Sequence, residues 1–189
     1  DRPGLPPGPT MRGDMQIRPA RADDHDGVEA MVVKRVEWMI ARGLRARPEV
    51  AAAMAEQTAD DTPMWVLLDD GQVVGCTSAY TESPEWGFTE QERALSALFL
   101  ASTWTWPADR RLGWVLARWA LDHAACTGRQ VVRRGTFAPE LVRYYTEVQG
   151  WAVVRQVERR PGKVCTFLSR PAERRPDLVL DTPVLSREG

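Results

Sequence analysis

Two β-rich runs, MWVLL (64–68) and QVVGCTSAY (72–80), meet through the segment DDGQ, whose Asp70-Gly71 pair is a strong signal for a tight hairpin. This places an antiparallel strand pair in the middle of the chain. A second hairpin is written near the end, where WAVVRQVE and KVCTFLSR flank Arg160-Pro161-Gly162-Lys163, with proline and glycine where a type II turn favours them. Two hairpins disagree with a doubly wound sheet built only from crossovers.

Between the hairpins the period changes. ALSALFLASTWTW (94–106) reads as a third strand of the first sheet, with helix kept open by its alanines. In PADRRLGWVLARWALDHAACTG (107–128), Leu112, Val115, Leu116, Trp119, Ala120 and Ala124 form a helical apolar stripe that stops near Gly128. RQVVRRGTF (129–137) then reads as a strand. This is a strand-helix-strand crossover, so at least one strand pair is parallel.

The remaining segments fill out the order. MQIRP (15–19) alternates as a short strand; Val28, Met31, Val32, Val36, Met39 and Ile40 mark a helix begun by Asp23, Asp24 and Asp26 and ended at Gly43. PEVAAAMAEQ, from Pro48, is a second helix, and PELVRYYTEVQ (139–149) a short one with Leu141, Tyr145 and Val148 on one side. The order β-α-α-β-β-β-α-β-α-β-β predicts a mixed α/β (α+β) fold, a mostly antiparallel sheet of about six or seven strands with helices on both faces.

At 189 residues the chain suits one domain. DRPGLPPGPTMRGD (1–14) reads as a flexible leader, residues 15–170 as the domain, and PAERRPDLVLDTPVLSREG (171–189) as a tail that lies along the surface or is disordered. No run approaches the roughly 18 apolar residues of a membrane span. Lys plus Arg number 25 against 26 Asp plus Glu, which removes a global electrostatic reason to expect nucleic acid. Cys76, Cys126 and Cys165 form no CxxC pair and, with only His25 and His123, suggest neither disulfide framework nor metal site. A reducing cytoplasm is the expected location.

VVGCTSAYTES, RRLGWVLARWALDHAACTGR and APELVRYYTEVQGW, in that order, resemble the GNAT superfamily of acyl-coenzyme A dependent N-acyltransferases over roughly residues 15–170. The resemblance implies acetyl-CoA as cosubstrate, no metal, and direct attack by a primary amine of a small molecule or peptide in a ternary complex. The alternative is a module of the same fold that binds acyl-CoA or regulates but has lost turnover.

Family members carry a Q/R-x-x-G-x-G/A loop that enters the helix after the fourth strand and holds the coenzyme A pyrophosphate. Such a site works because the first helical amides are unpaired, glycine lets a ligand reach the backbone, and the helix dipole favours an anion. If Gly113 ends the pattern, Ala108 stands for Gln or Arg and Arg111 for the first glycine. If Gly113 is instead the first glycine, Arg110 fits and Val115 replaces the last small residue. The length of the helix from Gly113 to Gly128, about four turns, favours the former. The implied coenzyme-binding stretch is Ser102, Thr103, Trp104, Thr105 and Trp106 on the fourth strand, then Ala108, Asp109, Arg110, Arg111, Leu112, Gly113 and Trp114. Arg110 and Arg111 are expected to add charge-assisted contacts to phosphate. Trp104 and Trp106 read foremost as core residues, with a wall of the acceptor pocket as the other role.

APELVRYYTEVQGW matches the family segment N-P-x-L-x-x-Y-Y-E-x-x-G-F, with Ala138 for asparagine, Trp151 for phenylalanine and one extra residue before Gly150. Counting from the proline gives Tyr145 the place of the acid that protonates the leaving thiolate, with Tyr144 in reserve; a phenol of pKa about 10 keeps its proton at pH 7. An amine of pKa about 10.4 is neutral in roughly one molecule in 2,500 at that pH, so a base is useful. Glu82, Glu85, Glu90 and Glu92 surround the loop before the fourth strand; surface solvation is the leading reading of each, and Glu82 and Glu85, after the third strand, are the better candidates. His123 is expected to be structural or exposed. An unpaired edge strand and the apolar tail leave room for a homodimer.

Overall fold

The computed structural model describes residues 15–59 and 61–180; the expected leader and the last part of the expected tail lie outside the described residues. Seven strands form one sheet: β1 (Met15–Pro19), β2 (Met64–Asp69), β3 (Gln72–Tyr80), β4 (Ala97–Thr105), β5 (Val131–Thr136), β6 (Ala152–Arg160) and β7 (Lys163–Pro171). Their spatial order is β1-β2-β3-β4-β5-β7-β6, and only β4 and β5 run parallel. The hairpins explain the antiparallel majority, and the crossover explains the single parallel pair. Both turns put their glycines, Gly71 and Gly162, at positive φ.

Five helices accompany the sheet: α1 (His25–Ala41), α2 (Val50–Ala55), α3 (Glu90–Ala94), α4 (Leu112–Cys126) and α5 (Pro139–Glu147). On one face, Val28, Met31, Val32 and Val36 of α1 and Ala51 and Met54 of α2 pack on Met64, Val66, Leu68 and Cys76. On the other, the stripe of α4 packs on Ile17, Leu67, Leu98, Leu100, Val132 and Leu168. A sheet with helices on both faces reads as the strand and helix periods foretell.

Three local details sharpen the sequence expectation. The third strand of the first sheet begins at Ala97, because Thr89 and Glu92 form a reciprocal capping box that starts α3 in the preceding loop. The extra residue before Gly150 is absorbed at the end of α5, where the amides of both Val148 and Gln149 reach the Tyr144 carbonyl before Gly150 turns the chain at φ 72°. The start of the expected tail is tied down. Residue 171 still belongs to β7, the amides of Ala172 and Glu173 bond to Gln130 and Leu121, and the Asp122 carboxylate on α4 accepts from the Arg175 amide and the Arg174 guanidinium. Arg118 of α4 also pairs with Asp177.

Candidate active site

β4 and β5 are paired only from Ala97–Val131 to Leu100–Arg134. Beyond that point each strand keeps its outer neighbour and loses the inner one: Trp104 and Thr105 stay opposite Cys76 and Gly75 on β3, while Gly135 and Thr136 stay opposite Phe167 and Thr166 on β7. The register of β4 against β3 shifts over the same stretch, and Ser102 takes a left-handed φ of 54°. A bulge bends a strand and interrupts its ladder, which is how one sheet can open without unfolding. The sheet therefore splits into a V in its middle.

A cleft of about 480 Å³ fills the opening. β4 contributes Thr103 and Thr105 to its wall, the start of α4 contributes Ala108, Arg111, Leu112, Gly113 and Trp114, β5 contributes Arg134, and α5 with the turn after it contributes Leu141, Tyr144, Tyr145, Val148 and Gln149. Arg35 reaches in from α1. Thr103 is fixed by a 2.8 Å hydroxyl bond to Thr77 on β3. Gln149, 2% exposed, is held by the Trp151 Nε1 proton at 3.0 Å and by Arg170, which donates to its backbone carbonyl.

The start of α4 is specialised. Arg111, the residue before the helix, sits in the left-handed region at φ 53° and makes no side-chain cap bond. That conformation suits glycine, and of the two motif registers only the one ending at Gly113 assigns a glycine there. Gly113 itself has ordinary helical backbone, and a Cβ built on it meets no atom within 4 Å. The space beside this helix start is open to a ligand, and amides of a first helical turn are anion donors.

Seven of the twelve residues expected to bind coenzyme thus line the cleft, as do both tyrosines. Five do not. The Arg110 guanidinium turns away to pair with Asp69 at 2.6 Å and, with Trp106, borders a separate hollow between α1 and the β2–β3 turn. Trp104 and Trp106 pack against the core under α1 and α2, since Trp104 shares its face of the sheet with Cys76. Asp109 and Ser102 are exposed and outside the cleft wall. Strand alternation explains the pattern on β4: Thr103 and Thr105 face the opening, and Trp104 between them faces the opposite core.

The carboxylates after β3 are also elsewhere. Glu82 is exposed, and Glu85, 84% exposed at its side chain, meets Arg93; neither lines the cleft. The ion pairing in this region falls instead to Glu92, half-exposed and held by two bonds of 2.6 and 2.9 Å from Arg155, which with the Thr89 amide pull its carboxyl down to about 2. His123 packs edge-on against Trp65, ring centroids 4.9 Å apart, and stacks on Trp119 at 5.0 Å, and burial lowers its pKa. It is a packing residue, as expected.

Sequence reasoning missed Arg134. It lies in β5, 6% exposed, with its guanidinium 3.9 Å from the Tyr145 ring centroid and 5.4 Å from that of Trp151. Its neighbour Arg133 points to the opposite face, where Ser83 and the Glu92 carbonyl accept its protons at 3.0 and 2.7 Å. Consecutive arginines in a short strand were the available signal: period-two alternation buries at least one of them when both faces are covered.

No family model matches the sequence, and no curated protein does. Solved structures match it. A GNAT-family acetyltransferase from Streptococcus agalactiae has a TM-score of 0.63 at 15% identity, covering 85% of this chain and 96% of that one. Another from Listeria monocytogenes gives 0.60 at 10% identity, over 84% and 95%. The polyamine N-acetyltransferase of Drosophila melanogaster, described as forming N-acetylagmatine, gives 0.58 at 12%, over 84% and 100%. The split sheet, the helix that starts at the split and the paired tyrosines across from it thus sit in a chain with the fold of the GNAT-family acetyltransferases.

Proposed function

We propose that the cleft binds acetyl-CoA or a related acyl-CoA and transfers the acyl group to a primary amine. The observation that carries this is the meeting, in one opening of the sheet, of an unobstructed helix start, two tyrosines and three arginines, Arg35, Arg111 and Arg134, with no Asp or Glu among the lining residues. Such a lining suits a ligand that carries several phosphate charges. The amides around Gly113 and the Arg111 guanidinium would hold the pyrophosphate, and Thr103 and Thr105 would border the arm that leads to the acyl group.

Bound acyl-CoA would supply an activated acyl carbon and a thiolate leaving group. Tyr145 would keep its phenolic proton until the carbon–sulfur bond breaks and then deliver it to sulfur; Tyr144 stands next to it, ring centroids 6.0 Å apart. With no carboxylate or imidazole in the cleft wall, the amine would lose its proton to water at the open end rather than to Glu82 or Glu85. The three cysteines are free thiols, which supports placing the protein in the cytoplasm. Among the described residues no helix is long and apolar enough to cross a membrane.

The test is calorimetric binding of acetyl-CoA, then thiol release over a panel of amines with the parent, Tyr145→Phe and Tyr144→Phe. A Tyr145 acid predicts a loss of about 10²- to 10⁴-fold in kcat for Tyr145→Phe with little change in acetyl-CoA affinity, and a smaller loss for Tyr144→Phe. Absence of binding would defeat the proposal. The strained arginine at the helix start and the base-free wall favour one second reading, a binding module without turnover. Binding with no thiol release on any amine selects it.

A further inference from the structure

Arg134 poses a problem of charge. A guanidinium removed from water costs several kcal/mol unless an anion or well-placed acceptors compensate it. The other buried arginine of β5 solves this with two hydrogen bonds. Arg134 has no ion pair and no hydrogen bond among the described residues; its neighbours are the rings of Tyr145 and Trp151, and its nitrogens meet water only through the 6% of the residue left exposed. Aromatic faces return only about 0.5–2 kcal/mol. Burial accordingly pulls its pKa below the ordinary arginine value, with only the two phenols acting the other way. The part of the side chain left accessible opens on the cleft, whose wall it forms beside Tyr144 and Tyr145.

The charge is also not needed to balance the cleft. Arg35 and Arg111 already stand in its wall, Arg111 at the helix start where phosphate would sit. Arg134 is placed differently: it is on the strand that leaves the split, under the ring assigned to proton delivery. It faces the reacting end of the cleft, and that end holds no acid to attract a polycationic acceptor.

Resting on the acyl-CoA reading above, we propose that Arg134 is a specificity residue that receives a carboxylate carried by one of the two reactants, through charge-assisted and bidentate hydrogen bonds. The carboxylate comes either from a dicarboxylic acyl group on the donor or from an amino-acid acceptor. In both cases it fills the partner position that the protein leaves vacant at Arg134, and the reactant lacking it leaves the guanidinium buried without an anion.

The experiment uses the full chain, with CoA, acetyl-CoA and succinyl-CoA titrated calorimetrically and thiol release measured for amino acids beside their carboxamides. Each is repeated on Arg134→Met, which keeps length without charge, and on Arg134→Lys, which keeps charge without the fork. Folding of both variants is checked by thermal melting. The expected result is a preference of roughly 10- to 100-fold for the carboxylated reactant in one arm, the size of a charge-assisted hydrogen bond. That preference disappears in Arg134→Met and survives in part in Arg134→Lys. A preference among donors assigns the acyl carboxylate, and one among acceptors assigns the acceptor carboxylate. If CoA binds and neither arm shows a preference, or if Arg134→Met weakens CoA itself as much as the acyl thioesters, Arg134 does not read a reactant carboxylate and the proposal falls while the acyl-CoA reading stands. If CoA does not bind the parent, both fall together.

Discussion

Replacing Gly113 by alanine and then by valine separates a folding role from a binding role, because the fold leaves open space there that a bound phosphate would use. Gly113 is the second residue of α4, its φ is not left-handed, and an added Cβ would find no protein atom within 4 Å. Nothing in the fold asks for glycine here. Glycine in a helix costs about 0.5–1 kcal/mol relative to alanine, less in the first turn, so Gly113→Ala should stabilise the fold by about 0.5 kcal/mol. For a domain of this size that raises Tm by about 1–2 °C. The ligand is more demanding. A phosphate accepting from the Gly113 region must approach the backbone; the motif admits the methyl group of alanine there, but the branched side chain of valine would displace about one charge-assisted bond worth about 1.5–3 kcal/mol. CoA affinity should therefore stay within a few-fold of the parent in Gly113→Ala and fall by about 10- to 100-fold in Gly113→Val, read by calorimetry beside melting curves of the same samples. If Gly113→Val binds CoA like the parent, the pyrophosphate does not sit at this helix start and the motif register ending at Gly113 loses its support.

Other consequences can be read from single variants. Arg111→Ala should weaken CoA binding by about 10-fold, whereas Arg110→Ala should leave it unchanged, since Arg110 is committed to Asp69 outside the cleft; equal losses in calorimetry would contradict that division. Gly87→Ala should destabilise by about 1–3 kcal/mol or more in denaturant unfolding, because the new Cβ would lie 2.3 Å from the buried Phe167 ring, and an unchanged midpoint would show that the loop shifts freely. Glu92 has a folded pKa of about 2, below its unfolded value, so its pairing with Arg155 contributes fully above the unfolded pKa and is lost as pH falls from about 5 towards 2. Glu92→Gln should flatten the acid limb of the Tm–pH curve, and an identical limb would mean that other carboxylates govern it.

The fold was legible in the residues because its signals are local. Hairpin turns at Asp70-Gly71 and Pro161-Gly162, and the stripe on α4, specify two antiparallel pairs and one crossover whatever surrounds them. The loop before α4, in which only Gly113 keeps its motif residue, could be placed after the fourth strand by order alone, and counting from Pro139 brought Tyr144 and Tyr145 to the cleft in spite of the extra residue, which falls after them.

What a linear reading could not supply was direction. Adjacent residues are equivalent in a motif count, yet a strand sends Thr103 and Trp104 to opposite faces, and one left-handed residue sends Arg110 and Arg111 to different hollows. Proximity in sequence likewise drew Glu82 and Glu85 towards the site, while the loop that carries them buries Ser83 and Phe88 and leaves both carboxylates exposed. Arg134 was signalled only by the pair Arg133-Arg134, which says that one arginine is buried and not that its face opens on a cleft. Sequence alone determined which elements form and in what order, because turns, caps and hydrophobic period act over a few residues. Only the tertiary structure decided that β4 and β5 part after Leu100, and that the parting leaves a buried arginine facing an open cleft beside Tyr145. That outcome depends on which neighbours each strand keeps, and residues far apart in the chain set it.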